Sequence, residues 1–395
     1  MSALNGCKVL ELAQTPIASL CTMTLGDFGA EVLKIDAPGM PGVLAPERSE
    51  MAFYPMYRNK KNMALNLKSE KGREIFIELV KTADVVIEGF RPGVLKRLQI
   101  DYETISKINP RIIYCSISGY GQDGPYRELP GHDINYISIG GALGLIGTAD
   151  SAPAIPMNWI ADWAGGVLHA IIGILLAMAA RTNTGRGQNV DISMTDGAVA
   201  LLSSLTPDYF RTGVEPAQGE ICLAGSFPYY DIYKTKDDRY ISIGCLEPVF
   251  WDNLCRELGR EDFMPYKFTN EHRLQKAQGE KWDEIATFLK ETFLTRTSDE
   301  WVADLSNKNI PLAKANTISE VFSDPQILHR KMLLEFDHPE LGKVKQVGIA
   351  IKLSDTPGEV KSLAPLPGAH TDGILQEMGY SGGDIETFRS EGIVG

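Results

Sequence analysis

Gly131-His132-Asp133-Ile134-Asn135-Tyr136 sets an imidazole, a carboxylate, an amide and a phenol in one short stretch, introduced by Pro130. Thirty residues beyond His132, Asn158-Trp-Ile-Ala-Asp162 leads into an apolar run. An imidazole and a carboxylate flanking one carbon atom can remove a proton and return it, which is general acid–base work. An acid at the first turn of a helix is also favoured by the free N–H groups and the helix dipole. On spacing alone, Asp162 therefore reads first as a helix cap, and His132 as a loop histidine with its polar atoms satisfied. A third acid, Glu247 in Gly244-Cys-Leu-Glu247-Pro248, follows an expected strand. Because Pro248 suits the first helical position, Glu247 reads by itself as the cap of the next helix.

The basic residues form a second group. Arg58-Asn59-Lys60-Lys61, then Lys68, then Arg91 in Glu88-Gly-Phe-Arg91-Pro-Gly93 fall at or near expected strand ends. Local clusters of this kind favour phosphate groups, and a solvated basic loop is the alternative. The whole chain is acidic: 39 basic against 51 acidic residues give −12. That charge argues against nucleic-acid or acidic-membrane partners, which need a basic surface. Six scattered cysteines, with no C-x-x-C and no Cys/His cluster, read as reduced thiols in a reducing, cytoplasmic setting. No secretory signal is visible at the N-terminus. The run from 163 to 180 carries no formal charge, but with Gly165, Gly166 and His169 inside it reads as a helix buried in a core.

Several familiar patterns fail on inspection. Gly119-Tyr-Gly121-Gln-Asp-Gly124 matches G-x-G-x-x-G, yet Pro125 and Tyr126 follow where a helix should open onto a pyrophosphate. The first strand–helix turn, Ala13-Gln14-Thr15-Pro16, has no glycine. Nicotinamide and flavin binding are thereby disfavoured. The phosphate-loop, serine-esterase and zinc-protease signatures are absent.

Positioning these residues falls to alternating strands and helices. Strands are expected at 9–12, 31–35, 85–87 and 111–118, with helices at 18–28 and after an N-cap at Ser69. Such alternation predicts an α/β fold, a Rossmann-like large domain around a parallel sheet. At this length, with 44% hydrophobic and 23% charged residues, two domains are expected. The large domain spans 1–206 and an irregular linker spans 207–227. A smaller α+β domain follows at 228–324, with a hairpin turned at Lys236-Asp237-Asp238 and helices at 249–258 and 282–293. The segment 325–395, with a hairpin about 339–342, returns to the large domain.

LNGCKVLELAQ, LGDFGAEVLKID, YRNKKNMALNLKSEKG, VVIEGFRPGV, IIYCSISGYGQDGP, TGRGQNVDISMTDG and GAHTDGIL together resemble the class III coenzyme A transferase (CaiB/BaiF) family over nearly the whole chain. GHDINY, ADWAGG and ISIGCLEPVF are most similar to its α-methylacyl-CoA racemase branch. The resemblance implies racemisation of 2-methyl-branched acyl-CoA thioesters through an enolate, with His132, Asp162 and Glu247 catalytic. It implies an acyl-CoA substrate of which coenzyme A is a part, with no separate cofactor and no metal. It also implies CoA contacts by Arg58, Lys60, Lys61, Leu65, Asn66, Leu67, Lys68, Arg91, Gly131, Asp133, Asn135 and Tyr136. The branch carries a D-R-P sequence whose arginine approaches the CoA 3′-phosphate; here Asp36-Ala37-Pro38 leaves that task to Lys60, Lys61 or Arg91. The N-terminal end of the Asp162 helix is expected to offer N–H groups to the enolate oxygen. An interlocked homodimer is implied, bringing Glu247 of one chain to His132 and Asp162 of the other. The alternative within the family is CoA transfer, with Asp162 as nucleophile.

Overall fold

The computed structural model describes residues 2–12, 15–39 and 47–395; Ala13 and Gln14, in the first strand–helix turn, lie outside them. The chain divides into two units, 1–140 with 157–200 and 324–395, and 141–156 with 201–323. The segment 141–156 therefore belongs with the second unit. The stretch expected as a linker, 207–227, is also part of that unit, and the helix Thr206–Thr212 runs into its start.

A six-stranded parallel sheet organises the first unit. Its strands are β1 (Lys8–Leu12), β2 (Glu31–Asp36), β3 (Lys60–Ala64), β4 (Val85–Glu88), β5 (Ile113–Ser118) and β6 (Asn189–Ser193), in the spatial order β3-β2-β1-β4-β5-β6. The chain builds outward from β1 to β3, then crosses back to place β4 on β1's other side. That reversal opens a crevice beyond the carboxyl ends of β1 and β4, where open α/β sheets take ligands. All of β4 and β5 is buried, as apolar strands covered on both faces must be. The helix Glu70–Val80 begins where Ser69 accepts the Gly72 N–H at 3.0 Å, and its Ile75, Phe76 and Val80 enter the core. The last residues close this core: Val394 pairs with Leu65, and Asn66 donates its N–H to the Ile393 carbonyl at 2.8 Å.

One sheet face carries buried polar residues. Side chains alternate along a strand, so Glu11 on β1, Lys34 on β2 and Asn62 on β3, which lie in register, share a face with Lys60. Glu11 is wholly buried and meets the Lys60 ammonium at 2.7 Å.

The second unit has the antiparallel sheet β7 (Tyr230–Lys234), β8 (Tyr240–Gly244) and β9 (Leu312–Lys314). The helices Pro248–Glu257, Glu280–Phe293 and Ser298–Leu305 belong to the same unit, with Trp251, Tyr229, Tyr233 and Phe293 in its core. Within the first unit, β10 (Leu333–His338) and β11 (Gly342–Val347) form the expected late hairpin.

Candidate active site

The loop leaving β5 ends at Gly131, and His132 stands at the N-cap of the helix Asp133–Ile139. Three contacts fix this turn. The His132 N–H donates to Asn135 Oδ1 at 3.1 Å, the Tyr136 hydroxyl donates to the Gly131 carbonyl at 2.5 Å, and the Tyr136 ring fills the space beside Gly119 and Gly131. A Cβ on Gly131 would sit 2.6 Å from that ring, so only glycine fits. Gly131, Asn135 and Tyr136, expected among the CoA contacts, here shape the backbone that presents the exposed His132. Burial, Tyr120 and Asp162 push the Tyr136 phenol up to about 12 against the influence of Arg91, so it remains a donor.

Asp162 lies in the first turn of Trp159–Leu168, which winds as a π-helix before continuing as the α-helix His169–Thr184. π-Helical turns are rare and recur at functional sites. Their wide coil is tolerated here because Gly165 meets Gly197 of the helix Met194–Leu201: a Cβ on Gly197 would lie 2.3 Å from the Gly165 Cα. His169 Nδ1 contacts the Ala164 carbonyl at 2.6 Å. Burial raises the Asp162 carboxyl above its ordinary range and the charge of Asp133 adds to this; the Asn158 amide (3.2 Å) and His132 oppose it.

Asp133 departs from expectation. It is 4% exposed, and its Oδ2 accepts the N–H groups of both Ala161 and Asp162 at 2.8 Å. It is bonded inside the protein and not at a ligand surface. It also occupies two of the helix-end N–H groups expected to meet an enolate oxygen, so Ala161 and Asp162 do not supply that stabilisation.

The basic group separates into internal and surface members. Arg58 is 1% exposed; its Nε and Nη2 bind both oxygens of Asp27 at 2.9 and 2.6 Å, and Nη1 donates to the Val347 carbonyl at 2.8 Å. Lys60 donates to Glu11, the Ser19 carbonyl and Thr22 Oγ1 at 2.7–2.8 Å. Both expected CoA contacts are internal ion pairs instead, because β3 turns Lys60 into the sheet face that holds Glu11. Leu65 belongs to the core, Leu67 packs against it, and Asn66 bonds the Gly392 carbonyl through its amide at 3.1 Å; these too serve the fold. Lys61, Lys68 and Arg91 are exposed.

Arg91 lines a cavity of about 280 Å³ with Glu88, Lys96, Ser116, Gln122 and Arg127. Gln122 Nε2 is buried without a hydrogen-bond partner, and Arg127 Nε reaches only Glu128 Oε1, at 3.4 Å. Such donors are costly to leave unmatched. Burial pushes the Glu88 carboxyl up to about 7 against its bonds from Ser116 and the Phe90 N–H. Gln122 and Arg127 carry no motif of their own in the sequence; Gln122 falls inside the Gly119–Gly124 loop and Arg127 just beyond it, so that loop is the signal for both. Among the described residues, no three His, Cys, Asp or Glu side chains converge as metal ligands.

Glu247, in the second unit, is the exposed N-cap of Pro248–Glu257, with Pro248 in the first turn as expected, though its side chain makes no capping bond.

Residues 4–371 match CoA-transferase family III. The chain belongs to this family. It is 31% identical to the alpha-methylacyl-CoA racemase of Homo sapiens over 393 residues, covering 99% of this chain and 97% of the relative. It is 32% identical to the succinyl-CoA:glutarate CoA-transferase of Homo sapiens over 403 residues, covering 99% and 90%. A solved CaiB/BaiF family protein from Brucella suis superposes with a TM-score of 0.79 at 29% identity, covering 95% of this chain and 99% of that one. The family includes both racemases and transferases, so family membership alone does not choose between the two chemistries.

Proposed function

We propose that the chain racemises 2-methyl-branched acyl-CoA thioesters. The observation that carries this reading is that the turn bearing an exposed imidazole is tied to the first helical turn bearing a partly buried carboxylate: Asp133, the residue after His132, accepts the backbone N–H of Asp162. The α-proton of a thioester is weakly acidic, and inversion needs a base on one face and an acid on the other. Asp162, its pKa raised by burial, is a stronger base than an exposed aspartate. His132 and Asp162 exchange roles according to the enantiomer bound: one takes the α-proton, the enolate forms, and the other delivers a proton to the opposite face. The anionic arm of CoA would lie against Arg91, Arg127 and the unmatched donor Gln122, with Lys61 and Lys68 as further surface cations.

A homodimer completes this reading, with the partner's Glu247 orienting His132. Its support is an apolar stripe on the long helix. The span Trp159–Thr184 passes by length and composition as a candidate membrane segment, and only 39% of its most apolar stretch is buried. Ala170, Ile171, Ile174 and Ala177 face the core, while Leu168, Ile172, Leu175 and Leu176 are exposed. The helix expected to lie inside the core thus leaves one face uncovered. A second copy covering that stripe accounts for it without a bilayer. All six cysteines are free and buried, which suits a reducing, cytoplasmic setting.

The second reading is CoA transfer, in which the Asp162 carboxylate attacks the thioester, and it draws on the equal likeness to a transferase. One experiment separates the two. A single enantiomer of a 2-methylacyl-CoA, incubated without any carboxylic acid acceptor, should lose its optical activity. Retained optical activity, with CoA moving to an added acid and acyl-CoA-dependent inactivation by hydroxylamine, would establish transfer instead.

A further inference from the structure

One carboxylate at the site has no part in the proton transfers. Asp133 follows His132 in the chain, is 4% exposed, and spends Oδ2 on the N–H groups of Ala161 and Asp162. Its Oδ1 is enclosed with no hydrogen-bond partner. Enclosing a carboxylate is expensive, and bonds from N–H to a charged oxygen are the strong kind that offset it. An ordinary N-cap comes from the residue preceding its own helix; this one arrives from a different helix, 29 positions earlier for Asp162.

We infer that Asp133 is a positioning residue, a strut that fixes the separation of His132 and Asp162 by anchoring the Asp162 backbone to the turn that presents His132. The inference rests on the reading of those two side chains as the reacting pair. Misplacing a reacting group by about 1 Å costs on the order of a hundredfold in rate, so the strut acts on kcat while leaving the CoA contacts alone.

A mere stabiliser of the π-helix would behave differently, and two variants tell them apart. Asp133→Ala removes the acceptor. Asp133→Asn keeps a carbonyl acceptor and removes the charge. In whichever reaction the wild type catalyses, α-proton exchange or CoA transfer, Asp133→Ala should lower kcat about a hundredfold with KM for acyl-CoA nearly unchanged, and Asp133→Asn should recover most of the loss. The acid limb of the Asn variant should also move to lower pH, since a negative charge opposing ionisation of Asp162 has gone. The other groups near Asp162 stay in place in that variant. They are His132 and Tyr136 on the facing turn and helix, and His169 on its own helix; Cys21 of the Pro16–Asp27 helix lies by Lys60, while Asp27 and Asp191 are held by Arg58 and the Gln122 N–H. An alanine variant that melts earlier but keeps wild-type kcat and acid limb overturns the inference. Should the wild type catalyse neither reaction, the reading of the site fails while the strut is still decided by hydrogen exchange. The Ala161 and Asp162 amides should exchange faster in Asp133→Ala and at the wild-type rate in Asp133→Asn; unchanged exchange in the alanine variant overturns the strut.

Discussion

Lys60 and Glu11 show how a charged residue expected to meet phosphate can belong to the interior. Burial alone would raise the Glu11 carboxyl, but Lys60 and Lys34 outweigh it and hold it down to about 2. A folded pKa below the unfolded one stabilises the protein at every pH above the unfolded value, about 4.3 for glutamate, and the contribution disappears only as pH falls through the folded value. Removing one partner of a buried pair leaves the other uncompensated, at about 3–5 kcal/mol. Lys60→Met should therefore lower stability by that order in denaturant melts while KM for acyl-CoA, measured on the folded fraction, stays near wild type. Arg91→Ala should do the reverse. Losing a hydrogen bond to a charged group costs about 1.5–3 kcal/mol, so KM should rise roughly tenfold or more while the melting curve scarcely moves. An increase in KM for Lys60→Met with unaltered stability would return that lysine to the substrate.

At the level of elements, the site depends on a close crossing between the Trp159–Leu168 π-helix and the Met194–Leu201 helix. Gly197→Ala places a methyl group against backbone, which cannot rotate away. The cost should be about 1–3 kcal/mol, as for other overpacked positions, with kcat reduced because the displaced segment carries Asp162. A calorimetric melt and a kcat measurement on the purified variant check both effects. The same elements show what was legible in the sequence. β4 and β5 announce themselves through β-branched residues, β1 and β2 through short apolar stretches that alternate with helical ones, and the Ser69 cap marks its helix. β3 has no such signal, because its first residues, Lys60-Lys61-Asn62, are polar; nothing local reveals that Glu11, distant in sequence, neutralises the lysine that turns inward. β6 has a weak signal, since Asn189-Val-Asp-Ile-Ser alternates over only five residues at a sheet edge. The π-helical winding has no periodicity signal of its own, and the glycines that meet beside it, Gly165 and Gly197, lie far apart in the chain. His132 and Asp162 were legible as chemistry-bearing types in a suggestive order. The Asp133 strut between them was not, because a carboxylate next to a histidine carries no mark of which backbone groups it will meet.

The whole molecule presents its apolar stripe to solvent. Leu168, Ile172, Leu175 and Leu176 recur at three- and four-residue intervals, so they lie on one helix face. Patches of this kind on soluble proteins mark association surfaces. In the proposed homodimer, Ile172→Glu combined with Leu176→Glu should shift the sedimentation coefficient from dimer to monomer. If the partner's Glu247 serves the site, that monomer should also be inactive. A wild-type protein that sediments as a monomer at micromolar concentration, and is active there, would remove both the dimer and the role of the partner's Glu247.

Solvent isotope exchange reaches the central claim most directly. The wild-type protein, given a 2-methylacyl-CoA in deuterium oxide and no acceptor acid, should place deuterium at the α-carbon in both enantiomers, and His132→Ala should abolish formation of the labelled opposite enantiomer. An α-carbon that keeps its hydrogen in the presence of active, folded protein would contradict a proton shuttle between His132 and Asp162.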